Sequence, residues 1–140
     1  MAVDVAPVSA LRVAAGYTFL SSEIVDSTAP SNPVFSPGKW LFRRPRHSGF
    51  AAVTFERDRL LLDLSGIFTG RRVDSDFSSL SPAIIESDGY ALWDLRGQYR
   101  LARQLSVVAA VDNLTDTDYM EPLGYFALGR TARIGLKVGF

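Results

Sequence analysis

The last twelve residues, Gly129 to Phe140, limit what this chain can fold into more than any other stretch. Ala132, Ile134, Leu136, Val138 and Phe140 are apolar, and Arg133, Gly135, Lys137 and Gly139 stand between them. Strict period-2 alternation is the pattern of a strand with one apolar face and one polar or small face. It runs to the final aromatic, where chain ends of soluble domains usually fray. The apolar face needs a cover, either a second sheet or lipid.

The same period recurs along the chain. Val3 and Val5 alternate weakly over Met1–Ala6, and Pro7–Ala10 reads as a turn. Leu11, Val13, Ala15, Tyr17 and Phe19 mark a strand of roughly ten to fourteen residues, longer than the ~5–6 usual in soluble sheets. Further strands are expected over His47–Glu56, Arg59–Gly70, Tyr90–Arg100 and Leu105–Val111, with Arg57–Asp58 and Leu101–Gln104 as tight connections. Between them lie Asp26–Pro45, with Pro30, Pro33, Pro37 and Pro45, then the Ser- and Asp-rich Arg71–Gly89, then Asn113–Leu128. These three read as long loops.

Short and long connections alternate strictly, so every long loop falls at one end of the strands. Transmembrane barrels have this asymmetry: short periplasmic turns, long extracellular loops and ~10-residue strands. The expected fold class is therefore all-β, an antiparallel transmembrane β-barrel segment of about six to seven up-and-down strands. Its apolar set would face lipid and its Arg, Asp, Gln and Ser set the lumen. Alternation alone also fits a soluble antiparallel sheet packed on a second sheet. No apolar run is long enough for a transmembrane helix, and Met1–Pro7 lacks the regions of a signal peptide. A location beyond the inner membrane would then need a leader upstream. Fifteen basic against fifteen acidic residues point to no nucleic-acid partner. The absence of cysteine excludes thiolate metal sites and thiol nucleophiles. His47 is the single histidine, and no nucleophile–base set can be built around it. No catalytic residue, metal site or cofactor is expected.

Several segments carry a resemblance in a fixed order. Arg43-Arg44-Pro45-Arg46-His47 resembles an N-R-P-x-H strand start, and Phe68-Thr69-Gly70-Arg71-Arg72 an x-x-G-x-R strand exit. Gly89-Tyr90-Ala91-Leu92-Trp93-Asp94-Leu95 resembles G-Y-x-x-x-D-L. Val111-Asp112-Asn113-Leu114-Thr115-Asp116-Thr117-Asp118-Tyr119 resembles V-x-N-L-F-D-x-x-Y, with Thr115 at the aromatic position. Gly124-Tyr125 and Gly129-Arg130-Thr131 complete the series. In this order the motifs resemble the C-terminal part of the barrel of a TonB-dependent outer-membrane receptor. The resemblance implies uptake of scarce ligands such as ferric siderophores or cobalamin across the bacterial outer membrane. It also implies that residues 1–140 are a C-terminal β-barrel fragment, with the plug domain and N-terminal barrel strands absent.

On that reading, Arg133, Gly135, Leu136, Val138 and Phe140 form an outer-membrane assembly signal read by the barrel-assembly machinery through edge pairing. Trp40, Arg71, Arg72, Tyr125 and Phe126 are ligand-contact candidates on the outer loops. Expected partners are outer-membrane lipid and the missing N-terminal barrel and plug, or a homo-oligomer. Arg43, Arg44, Arg46 and His47 form a basic cluster, read either as a solvated loop base or as a contact for anionic groups at the outer rim. Asp112, Asp116 and Asp118 lack the Gly and Glu of a calcium loop and are expected to make Asx turns beside Asn113. Two further function classes stay open: an autonomous small barrel or edge-paired oligomer without active transport, and a soluble β-rich ligand-binding domain.

Overall fold

A computed structural model describes residues 1–28, 35–75, 84–121 and 124–139. Phe140, and with it the terminal aromatic of the expected assembly signal, lies outside the described residues, as do Pro30 and Pro33 of the first long loop. Nine strands follow in chain order: β1 (Ala2–Val8), β2 (Leu11–Phe19), β3 (His47–Arg57), β4 (Leu60–Thr69), β5 (Arg72–Ser75), β6 (Ile84–Ser87), β7 (Tyr90–Ala102), β8 (Leu105–Asp112) and β9 (Thr131–Val138). No helix occurs among the described residues. β1-β2-β3-β4-β7-β8-β9 form one seven-stranded sheet, and β5-β6 a separate two-stranded one. Every pairing in the large sheet is antiparallel, so it is an up-and-down meander. β3, β4 and β7 have 11, 10 and 13 residues, long enough to cross a ~30 Å hydrocarbon core at a tilt.

Register turns the alternation into two faces. One row runs Val13–Val53–Leu64–Leu95–Val111–Ala132 from β2 to β9, and the next runs Leu11–Phe55–Leu62–Gly97–Ala109–Ile134. On this face the strands bear only two charged or histidine side chains, His47 and Arg57, at opposite ends of β3. Many of its large side chains have no protein cover; Ile134 is 81% and Leu136 69% exposed. The opposite face carries the row Arg12–Thr54–Asp63–Arg96–Ala110–Arg133. A soluble two-sheet sandwich would cover the apolar face, and no second layer does so among the described residues. We call the apolar face outward and the charged face inward.

The structure departs from the sequence expectations in three places. The weakly alternating start is a full strand that takes in part of the expected Pro7–Ala10 turn: β1 pairs with β2 from Ala2↔Gly16 to Val5↔Val13, then shifts register before Val8↔Leu11. The tight turn after β3 is Asp58–Arg59, one residue later than expected, with Asp58 at φ 54° in the left-handed region that Asp tolerates. Arg71–Gly89 is not wholly loop, because β5 and β6 pair from Arg72↔Ser87 to Ser75↔Ile84. Gly70 and Gly89 let the backbones close in below that hairpin. A Cβ at Gly70 would stand 2.7 Å from the His47 carbonyl oxygen, and one at Gly89 2.7 Å from that of Thr69.

Face identity makes a direct prediction. Leu62→Arg on the outward face should cost about 2–4 kcal/mol of membrane-inserted stability, the cost of a mid-bilayer arginine. Leu61→Arg, its inward neighbour, should cost markedly less. Urea titration of the chain folded into phosphatidylcholine vesicles measures both, and equal losses would refute the assignment of faces.

Candidate functional site at the loop end of the sheet

The inward face is a ladder of paired charges. Arg12 meets Asp4 at 2.6 Å, and the Thr54 hydroxyl donates to Asp63 at 2.8 Å. Arg96 lies 3.7 Å from Asp94 and 3.9 Å from Asp112, and Arg133 pairs with Asp112 as well. Between these side chains runs a groove of about 630 Å³, lined by Leu61, Asp63, Arg96, Gln98 and Arg133 among others. In water such exposed pairs contribute little each. Here they set an inward wall whose cations and carboxylates alternate across strands.

At the long-loop end, three connections are tied together. The Arg43 N–H donates to the Val73 carbonyl at 2.9 Å, and the Arg43 side chain pairs with Asp74 at 3.0 Å. Asp74 is fully buried and also accepts from the Ser75 N–H. These bonds fasten the β5–β6 hairpin to the β2–β3 connection. Arg72, 4% exposed, donates to the Met120 carbonyl at 3.0 Å and lies over the Tyr90 ring. Its Nη1 is buried and has no partner among the described residues. The Tyr90 hydroxyl donates to Glu121, and its ring packs at 4.5 Å on that of Tyr119. The hairpin is thus held to the β8–β9 connection too.

A turn built by Asn113 organises that last connection. Asn113, 6% exposed and at φ 51°, accepts from the Thr117 N–H and donates to the Thr117 carbonyl, each at 2.9 Å. Asp94 receives the Asn113 N–H at 3.0 Å. Asp116 receives the Arg130 N–H at 2.8 Å and pairs with its guanidinium at 3.5 Å. The Asx turn expected from sequence is present. Asp112 and Asp116 are each engaged with arginines, and among the described residues no group of acidic or histidine side chains is placed to hold a metal ion.

Of the sequence candidates, Trp40, Arg71 and Arg72 line one cavity of about 380 Å³ with Tyr17, Arg46 and His47. Tyr125 and Phe126 are not among its lining residues; they are 71% and 78% exposed on the β8–β9 connection, where Phe126 bridges to Met120. On β9, Arg133 and Gly135 face inward and Leu136 and Val138 outward. Sequence reading missed the Arg43–Asp74 pair and the Tyr90–Glu121 bond, whose partners are separated by 31 positions each. The G-Y motif was the one signal pointing toward Tyr90.

A long-stranded antiparallel sheet with an uncovered apolar face, an inward charge ladder and loops gathered at one end is a segment of a β-barrel wall. Comparison with known proteins agrees. The sequence model for the TonB dependent receptor-like β-barrel matches residues 4–114, and the chain belongs to that family. Its fold is similar to that of the ferric enterobactin receptor PfeA of Pseudomonas aeruginosa, with TM-score 0.73, 22% identity, and coverage of 99% of this chain and 21% of that one. The ferric-catecholate import receptor Fiu of E. coli is similar at TM-score 0.70 and 20% identity, over 96% of this chain and 19% of that one. The copper transporter OprC is similar at TM-score 0.69 and 17% identity, over 99% of this chain and 22% of that one. The chain therefore spans about a fifth of the length of these proteins.

The Asn113 turn can be tested alone. Asn113→Ala loses both side-chain bonds and puts a Cβ-bearing residue without a local acceptor at positive φ, so it should cost about 1–3 kcal/mol. Asn113→Asp keeps the acceptor and should cost less. Amide exchange at Thr117 should quicken in that order; unchanged protection in Asn113→Ala would show that the side chain does not hold the turn.

Proposed function

We propose that this chain is the C-terminal wall segment of a bacterial outer-membrane uptake receptor. The observation that carries this is the outward face, apolar across the seven-stranded sheet and uncovered by protein. Outer-membrane lipid is its natural cover. The inward ladder from Arg12 to Arg133 would face the lumen, where a plug domain supplies the opposing charges. The receptor would take up a ferric siderophore or a comparable scarce metal-bearing ligand, since structures of similar fold include receptors for ferric enterobactin and ferric catecholates and a copper transporter. Tyr125 and Phe126, exposed on the β8–β9 connection at the long-loop end, are our candidates for contact with it, whereas Trp40, Arg71 and Arg72 line a cavity at the outward rim.

Strand parity says what kind of partner completes the wall. Seven antiparallel strands leave β1 and β9 running in the same direction. An all-antiparallel barrel has an even strand count, so closure takes an odd number of added strands. A second copy inserted the same way would meet this one through a parallel seam, which disfavours a homo-oligomer. N-terminal strands of the same receptor meet the requirement. β9, with Arg133, Gly135, Leu136 and Val138 and with Phe140 after it in sequence, would be the strand read by the assembly machinery.

Lipid contact is measurable through Trp93 on the outward face. The Trp40→Phe chain, reconstituted into vesicles with mid-chain brominated phosphatidylcholine, should lose more than about half its tryptophan emission while aqueous iodide quenches weakly. Strong iodide quenching without bromine quenching would sink the membrane reading.

A further inference from the structure

We infer that the cavity beside Trp40 and Arg46 is a docking site for the phosphorylated headgroup of an outer-leaflet lipid, on the outside of the wall. The register fixes the side. Phe19 pairs with His47, and Tyr17 with Gly49, which pairs in turn with Phe68. Tyr17, Phe19, His47 and Phe68 therefore share the outward face at its long-loop rim, away from the lumen through which a soluble ligand would pass.

The chemistry of the rim is amphipathic in the order a lipid needs. Beneath it lies the uncharged outward face. At it stand the aromatics, with the Tyr17 hydroxyl 2.5 Å from His47 Nδ1 and the Phe19 ring 5.3 Å from the His47 ring. Above it Arg46 lies 4.8 Å over the Trp40 ring and 5.5 Å from that of Phe19, so stacking fixes its guanidinium plane. Arg46 and Arg44 have no carboxylate partner among the described residues. Arg71, which lines the cavity too, meets Asp88 only at 3.6 Å, both largely exposed. Glu86 is the acid in the lining. A second, small recess adds Arg44 beside Arg46 and Arg71. An arginine held over two rings beside an apolar wall, with Arg71 and Arg44 near it, matches a phosphomonoester bidentately while acyl chains lie along the strands. A ~380 Å³ cavity suits one such headgroup and not a whole glycolipid.

The inference rests on the outward face meeting lipid, which Trp93 quenching tests separately. For the site itself, the full chain with Trp93→Phe, in detergent micelles, reports through Trp40. Diphosphoryl lipid A should shift Trp40 emission at least about tenfold more tightly than its dephosphorylated form, and Arg46→Ala/Arg71→Ala should remove that preference. Arg57→Ala/Arg103→Ala, the same charge change at the other rim, should leave it intact. Equal loss in both double variants would reduce the effect to net charge and overturn the site. So would equal binding of the two lipid forms. Inorganic phosphate displacing lipid A at equal concentration would make this a free-anion site and overturn the lipid assignment. Far-ultraviolet circular dichroism confirms that each variant keeps its sheet.

Discussion

Backbone hydrogen bonding in hydrocarbon is the constraint on which this structure depends. An unpaired N–H or C=O costs several kcal/mol where water cannot reach it. Interior strands β2, β3, β4, β7 and β8 have a neighbour on each side. That requirement explains why ten-residue strands are joined by turns as short as Asp58–Arg59. It also explains why the glycines at 70 and 89 sit where strands close in on one another. β1 and β9 each keep one edge without a partner in this sheet.

Pairing settles the ladder and leaves the faces to the side chains. Outward, dispersion and shape replace charge. The Trp93 indole lies across Gly66, where a Cβ would come within 2.5 Å of the ring. An aromatic laid over a strand glycine restores the contact area the glycine lacks. Inward, Arg12, Arg96 and Arg133 each find an acid on the neighbouring strand, so these charges are paired without being exposed to lipid. One side of the sheet cannot slip relative to the other, since a one-residue shift would put Arg96 or Asp63 into hydrocarbon.

Much of this was legible in sequence because period 2 is a backbone property. The alternation placed β3, β4, β7, β8 and β9 within a residue or two of their ends and overran β2, which has nine residues, and loop asymmetry supplied the barrel. β5 and β6 were not legible: at four residues each, with Val73 alone among Arg, Asp and Ser in β5 and Ile84 next to Ile85 in β6, they show no period to read. Nor was the tie between Arg43 and Asp74, because it depends on two connections folding against each other. The motifs around Asn113 and Gly129-Arg130 were visible as separate signatures. Only the structure shows Asp116 joining them through Arg130.

That join bears on how the last strand is presented. Arg130 fixes the start of β9 to the Asn113 turn, and Arg133 is already paired with Asp112 on β8. Leu136 and Val138 stand opposite Val107 and Leu105. The facing of every β9 side chain is therefore settled by β8 before any other strand joins. Whatever pairs with the free edge meets a template of fixed register, apolar outward and basic inward. A partner strand offset by one residue would set its own polar side chains against lipid, so the template selects its partner's register as well as binding its backbone.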